Sequence, residues 1–255
     1  MVRPVRPWGD RRGTGPTPGA TTAPGRVADA GRVPPTSATP APDLTTPGLP
    51  GPGTRRRVVG GPQVVALAVL GGLAAGALTS FGQSVLPGPF GGLANAVAPW
   101  LVVPFGVGAR ARGWRRAVVA GVVACLAQVA GYYVTSDLRG FGVSATWLLF
   151  WLVCAVPGGA VAGAAGWSWW RTGPPPAGPE RGAGAAVLVA AWLAEAVVVY
   201  GVVLRYPGHA AVFVVTGLVA FVLLGLRGRQ HARVALWLGP ALVLACGGFA
   251  ALHAL

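Results

Sequence analysis

The chain changes character near residue 61, where a polar segment gives way to a succession of long apolar runs. A helix needs about 20 apolar residues to cross a hydrocarbon core of about 30 Å, and these runs have that length. Charged residues fall almost wholly between the runs. The pattern predicts an all-α protein, a polytopic transmembrane helix bundle of about seven helices. The predicted spans are 63–85, 90–109, 116–135, 143–166, 183–204, 209–226 and 234–253.

The second predicted span is the least regular. It contains Pro99 and Pro104, and a proline inside a helix removes a backbone donor and kinks the helix. Within a membrane, irregular backbone is tolerated where it is buried in protein or lines a cavity. We therefore expect this span to be broken or re-entrant, which leaves six or eight crossings as alternatives to seven.

Residues 1–60 have the composition of a disordered segment. They are rich in Pro, Gly, Thr and Arg, and Trp8 is their only aromatic residue. Such a segment cannot bury enough apolar surface to offset its chain entropy. The sequence thus predicts a disordered tail at 1–60 and a transmembrane helical domain at 61–255.

Arginines are distributed unevenly between the two ends of the predicted bundle. Twelve lie on the side of the tail, and only Arg139 and Arg205 lie on the other. Because short cytoplasmic loops retain arginine, we predict a cytoplasmic tail and an external carboxyl terminus in the cell membrane. The twelve are Arg55, Arg56, Arg57, Arg110, Arg112, Arg115, Arg116, Arg171, Arg181, Arg227, Arg229 and Arg233.

The formal net charge of +14 indicates an anionic binding partner, either nucleic acid or lipid headgroups. Nucleic-acid binding needs a basic face on a folded surface, whereas these arginines sit in short connections between apolar runs. Charged residues make up 10% of the chain, against about 25% in soluble domains. We therefore expect anionic lipid headgroups at the cytoplasmic face as the partner, and no nucleic acid.

Motifs for catalysis and for metal binding are missing from the sequence. It contains no H-E-x-x-H, no G-x-S-x-G, no Walker A sequence and no lysine. Cys125, Cys154 and Cys246 fall singly in three separate spans, without the spacing of a metal or redox site. We expect a protein that is not an enzyme and that holds no metal or cofactor.

Polar side chains inside the apolar spans concentrate in their predicted outer halves. Glu195 is the only acidic residue within a span, roughly 18 Å from the inner end of the fifth at 1.5 Å per residue. Gln83, Asn95, Gln128 and Thr216 lie on four other spans. If the helices turn these groups toward each other, they line an outward-facing pocket that binds or passes a small solute or lipid.

An alternative reading assigns these polar groups to packing. Polar side chains often bridge membrane helices without any other role, which would suit a non-transporting scaffold or regulatory membrane protein. Glu195 distinguishes best between binding and packing, because a carboxyl within a membrane is costly unless it has a partner or faces a wet cavity. It would be dispensable if it faced lipid. We favour the other case, in which it shares a polar cavity with Gln128 and Asn95.

Small residues recur at helical spacing on the faces that carry several of these polar groups. Such stripes let membrane helices approach closely. The first three are Gly72, Gly76, Thr79 and Gln83, then Gly121, Cys125, Gln128 and Tyr132, then Gly159, Gly163 and Gly166. The fourth is Gly239, Cys246, Ala250 and His253.

Three short motifs connect the chain with a known group of proteins. Residues 78–83 read LTSFGQ, residues 93–95 read LAN and residues 98–100 read APW. This stretch resembles an uncharacterised family of small multi-pass membrane proteins of actinobacteria, a domain of unknown function. The resemblance implies a helical membrane domain and points to no activity or substrate.

Overall fold

The computed structural model describes residues 61–171 and 182–254, so the predicted tail and Arg181 lie outside the described residues. Every regular element within these ranges is helical, which confirms the all-α prediction. Six helices are long and apolar enough to cross a membrane. The elements are α1 (Gly61–Val85), a 3₁₀ helix (Gly88–Ala94), α2 (Val97–Arg110), α3 (Trp114–Leu138), α4 (Ala145–Trp170), α5 (Ala183–Glu195) with a π-helix (Ala196–Val203), α6 (Pro207–Leu226) and α7 (His231–Ala254).

The packing of α1 on α3 determines how the chain runs through the bundle. Gly72 lies against the backbone at Ala124 and Gln128, and Gly76 lies against Gln128 and Tyr132. The contacts advance in the same direction along both helices, so α1 and α3 are parallel. The segment between them must therefore return along the bundle, and the 3₁₀ helix and α2 do so together. This return supports the prediction of seven spans.

The second span breaks before its prolines and not at them. The 3₁₀ helix and α2 meet at an angle of 51°, with Asn95 and Ala96 between them. Pro99 is the third residue of α2, where a missing N–H costs no hydrogen bond because the first-turn donors have no intrahelical partner. Only Pro104 lies in the helix interior. The predicted break is confirmed, but its assignment to Pro99 and Pro104 is wrong.

Three of the predicted small-residue stripes form close helix contacts. A Cβ atom added at Gly72 would lie 2.8 Å from Ala127 Cβ, and one added at Gly159 would lie 2.7 Å from Val122 Cα. These backbones could not approach as they do with any larger side chain. The fourth stripe differs, because a Cβ at Gly239 would meet no atom of another described segment within 4 Å. At that position the packing prediction is wrong, and the helix surface is open.

Candidate functional site

Glu195, at the end of α5, caps the broken second span from a neighbouring helix. Its Oε1 accepts a hydrogen bond from the backbone N–H of Val97 at 2.8 Å, and its Oε2 accepts one from Ala98 at 2.7 Å. The side chain is only 2% exposed. Pro99, the next residue of α2, has no N–H to satisfy. The first three residues of α2 therefore leave no amide donor unpaired, at the end of a helix that favours negative charge.

This placement corrects the environment expected for Glu195 from the sequence. The carboxyl oxygens face the backbone of α2, and not a polar cavity shared with Gln128 and Asn95. The residue that precedes α2 is Ala96, whose side chain cannot cap the helix. Because an unpaired amide in an apolar interior is costly, the acceptor has to come from another part of the chain, and Glu195 provides it.

The π-helix after Glu195 directs a second side chain, that of Tyr200, at the segment that precedes α2. The Tyr200 hydroxyl donates to the carbonyl of Gly92 at 3.1 Å, and the Tyr200 ring stacks on His209 with centroids 5.4 Å apart. Residues five apart lie about 140° apart around an α-helix, whereas the wider turn of a π-helix, with its i→i+5 hydrogen bonds, brings them closer to one face. Glu195 and Tyr200 thus face the same way and hold the two ends of the connection from Gly92 to Val97.

A cavity borders this connection on the side of α3 and α4, and we call it the aromatic cavity. Its volume is about 380 Å³, which is within the range of about 300–1,000 Å³ typical of small-molecule sites. It extends from Cys125, midway along α3, to the exposed residue Gly142 in the α3–α4 loop. Five aromatic side chains form much of its wall, namely Trp100, Tyr132, Tyr133, Trp147 and Trp151.

Three polar side chains form a chain of hydrogen bonds in the wall of the aromatic cavity. The Tyr132 hydroxyl donates to Gln83 Oε1 at 3.1 Å, and Gln83 Nε2 donates to Asn95 Oδ1 at 2.6 Å. Asn95 Nδ2 donates in turn to the carbonyl of Gly91 at 3.3 Å. Each of these oxygens has a second lone pair. The network can therefore accept a hydrogen bond from a ligand while it joins α1, α3 and the broken span.

The five residues predicted to bind a ligand occupy different environments. Gln83 and Asn95 line the aromatic cavity. Gln128 is 1% exposed, and its Oε1 has no hydrogen-bond partner among the described residues. Thr216 donates to a backbone carbonyl of its own helix at 2.8 Å, and Glu195 caps α2. The structure thus brings two of the five to the cavity, and their binding of a ligand stays a prediction.

Comparison with known proteins places this chain in a family. Residues 55–255 match a family of unknown function, DUF6518. The chain belongs to that family. The matched region contains both the aromatic cavity and the Glu195 cap, so both are features of the DUF6518 domain of this protein. Neither a curated protein nor a solved structure matches the chain.

Apart from Tyr132, which the second stripe includes, the aromatic side chains are the part of this DUF6518 site that sequence reasoning missed. Tryptophan and tyrosine are common near the ends of membrane spans as interface residues, so their presence there is no separate signal. A spacing signal does exist on α4. Trp147, Trp151, Cys154 and Gly158 follow at intervals of four, three and four, which is one face of a helix. All four line the aromatic cavity.

Proposed function

We propose that this DUF6518 protein is a multi-pass membrane protein that binds a small solute or lipid in the aromatic cavity. The observation that supports the proposal is the combination of five aromatic side chains with one amide–hydroxyl network around about 380 Å³. Small-molecule sites typically combine apolar and aromatic walls with a few placed polar groups. No charged side chain lines the cavity within the described ranges 61–171 and 182–254, which favours a ligand with an apolar body and one or two hydrogen-bonding groups.

Filling the cavity should remove the ligand. Cys154 lines the cavity, whereas its neighbour Val153 is 69% exposed and does not. We expect Cys154→Trp to lower the amount of co-purifying ligand at least about tenfold, because the indole would occupy the binding volume; that loss corresponds to about 1.4 kcal/mol. The measurement is native mass spectrometry of the purified protein, followed by extraction and identification of the bound molecule.

The control for this experiment is Val153→Trp, which adds the same side chain one residue away on α4. It should retain the ligand at the wild-type level. Melting temperatures of both variants separate loss of ligand from loss of fold, since overpacking costs about 1–3 kcal/mol. Equal ligand in the two variants would show that the cavity is not the binding site.

A second candidate function, a scaffold or regulatory membrane protein, is favoured by polar contacts between helices whose residues do not line the aromatic cavity. The hydroxyls of Ser80 and Ser136 lie 2.9 Å apart across α1 and α3. Arg139 donates to Ser84 Oγ at 2.6 Å. Such bonds hold helices together and need no ligand. If cells that carry Cys154→Trp matched the wild type in every phenotype of the gene, the scaffold would be the better account.

We further infer that the end of the bundle rich in arginine faces the cytoplasm, because short cytoplasmic loops retain arginine. Reporter fusions near residues 113 and 229 should then read as cytoplasmic, and fusions near residues 88, 139 and 207 as external. The carboxyl terminus should also be external. A cytoplasmic carboxyl terminus would contradict seven passages through the membrane.

A further inference from the structure

A second cavity, which we call the arginine groove, lies between α1 and α3 at the arginine-rich end of the bundle. Its volume is about 410 Å³. The walls include Val65, Val119 and Val123, and Val65 and Val119 are 50% and 60% exposed. The groove lies about two helical turns from the close contact of the two helices at Gly72. It is therefore an open apolar trough along two parallel helices.

Three arginines border the arginine groove at its open end. Arg112, Arg115 and Arg116 are exposed and contribute to its lining. The Arg115 guanidinium lies 5.5 Å from the centroid of the Trp114 ring, and a smaller adjoining cavity is lined by the same three arginines with Trp114. Among the residues that the structure describes, neither lining includes an acidic side chain. The groove thus combines an apolar trough with positive charge at one end only.

We propose that this groove binds an anionic phospholipid, with its phosphate on the three arginines and one acyl chain along the valine-lined trough. Guanidinium groups match phosphate oxygens in geometry and charge, and basic pockets between membrane helices at the cytoplasmic side suit anionic headgroups. Tryptophan is common at the level of the headgroups, where Trp114 would lie. A soluble anion would use the arginines but not the apolar wall, so the combination favours a lipid.

The test uses the full-length protein in neutral detergent with three probes: phosphatidylglycerol, phosphatidylcholine with the same acyl chains, and inorganic phosphate. Of the three probes, we expect only phosphatidylglycerol to bind and to raise the melting temperature of the protein. Replacing Arg112, Arg115 and Arg116 together with glutamine should weaken its affinity about 100-fold. Each arginine near a headgroup contributes about a fivefold factor, so three give about that loss. Native mass spectrometry with lipid titration measures the affinity.

The matched control removes the same charge elsewhere at the same end of the bundle. The control variant combines Arg171→Gln, Arg229→Gln and Arg233→Gln. Its affinity should stay within about twofold of the wild type, because these three arginines are not among the residues that line the groove. Val119→Trp keeps all the arginines and fills the trough, and it should weaken phosphatidylglycerol at least about tenfold by occupying the volume of the acyl chain.

Four results would overturn the proposal. Equal loss in the two triple variants would mean a diffuse surface effect, and stabilisation by phosphate alone would mean a site for a soluble anion. Wild-type affinity of Val119→Trp for phosphatidylglycerol would show that the acyl chain does not occupy the groove. No lipid-dependent shift in the wild type would mean that another segment of this chain or a second copy covers the groove.

Discussion

Replacing Glu195 with leucine should lower the free energy of unfolding by about 3–5 kcal/mol. The change leaves the amides of Val97 and Ala98 without their acceptor, and each unpaired buried donor costs about 1–3 kcal/mol. Leucine fills similar space, so the loss reports mainly on the hydrogen bonds. Thermal and chemical melting of the purified protein in detergent measures the effect.

Two further variants sharpen this prediction. Glu195→Gln keeps one acceptor oxygen and should lose about half as much stability. Thr216→Val is the polar control, because the Thr216 hydroxyl bonds to the backbone of its own helix, and its effect should stay within about 0.5 kcal/mol. A Glu195→Leu protein that melts at the wild-type temperature or above would show that the cap is dispensable.

The same change should also weaken binding in the aromatic cavity without any contact between Glu195 and the ligand. Asn95 and Val97 line the cavity, and Val97 is the residue whose amide Glu195 holds. If the start of α2 moves, this wall moves with it. A Glu195 variant is therefore expected to lose ligand and melting temperature together. In Cys154→Trp, by contrast, loss of ligand should be the main effect.

Replacing Gly163 with valine should cost at least about 3 kcal/mol or prevent the protein from accumulating. A Cβ atom at this position would collide with the carbonyl oxygen of Ala117 and lie 3.1 Å from the Cα atom of Gly121. Both neighbours are backbone of α3, so no side chain can rotate away and the helices must separate. Overpacking commonly costs about 1–3 kcal/mol, and a backbone clash belongs at or beyond the upper end. Folded yield and melting temperature measure the effect.

Gly247→Val is the matched control, since it makes the same substitution inside α7, at a position that no proline follows and where a Cβ meets no atom of the described residues within 4 Å. Its effect should not exceed about 1 kcal/mol, as it changes only local helix propensity. If the two variants melted at the same temperature, the close packing of α3 and α4 at Gly163 would not matter for stability.

Much of the fold was predictable because it depends on local periodicity. Apolar runs of membrane-spanning length indicated the helices, and glycines at helical spacing indicated which faces pack, as Gly72 and Gly159 do. Two of the five proposed ligand residues, Gln83 and Asn95, do lie at one cavity. Depth in a span follows from counting residues, so the sequence could indicate which polar groups share a level.

The direction in which each side chain faces was not predictable, because it depends on how the helices are rotated against one another. Gln128 and Thr216 are predicted to share a level with Asn95, yet Gln128 is buried with an oxygen that has no partner among the described residues, and Thr216 bonds to its own helix. Trp147 and Trp151 lie near the end of a span, where tryptophan is common as an interface residue, yet they line the aromatic cavity. Only packed neighbours distinguish a ring that faces a cavity from one that faces headgroups.

By itself, then, the sequence determined the helical class, the positions of the spans and the stripes along which α1, α3 and α4 meet, since each follows from residues close together in the chain. The tertiary structure decided the role of Glu195, whose partners lie 97 and 98 residues away. It also decided where the second span breaks. A π-helix turns Glu195 and Tyr200 to one face and holds the connection before α2, and no local pattern encodes a bond between distant segments.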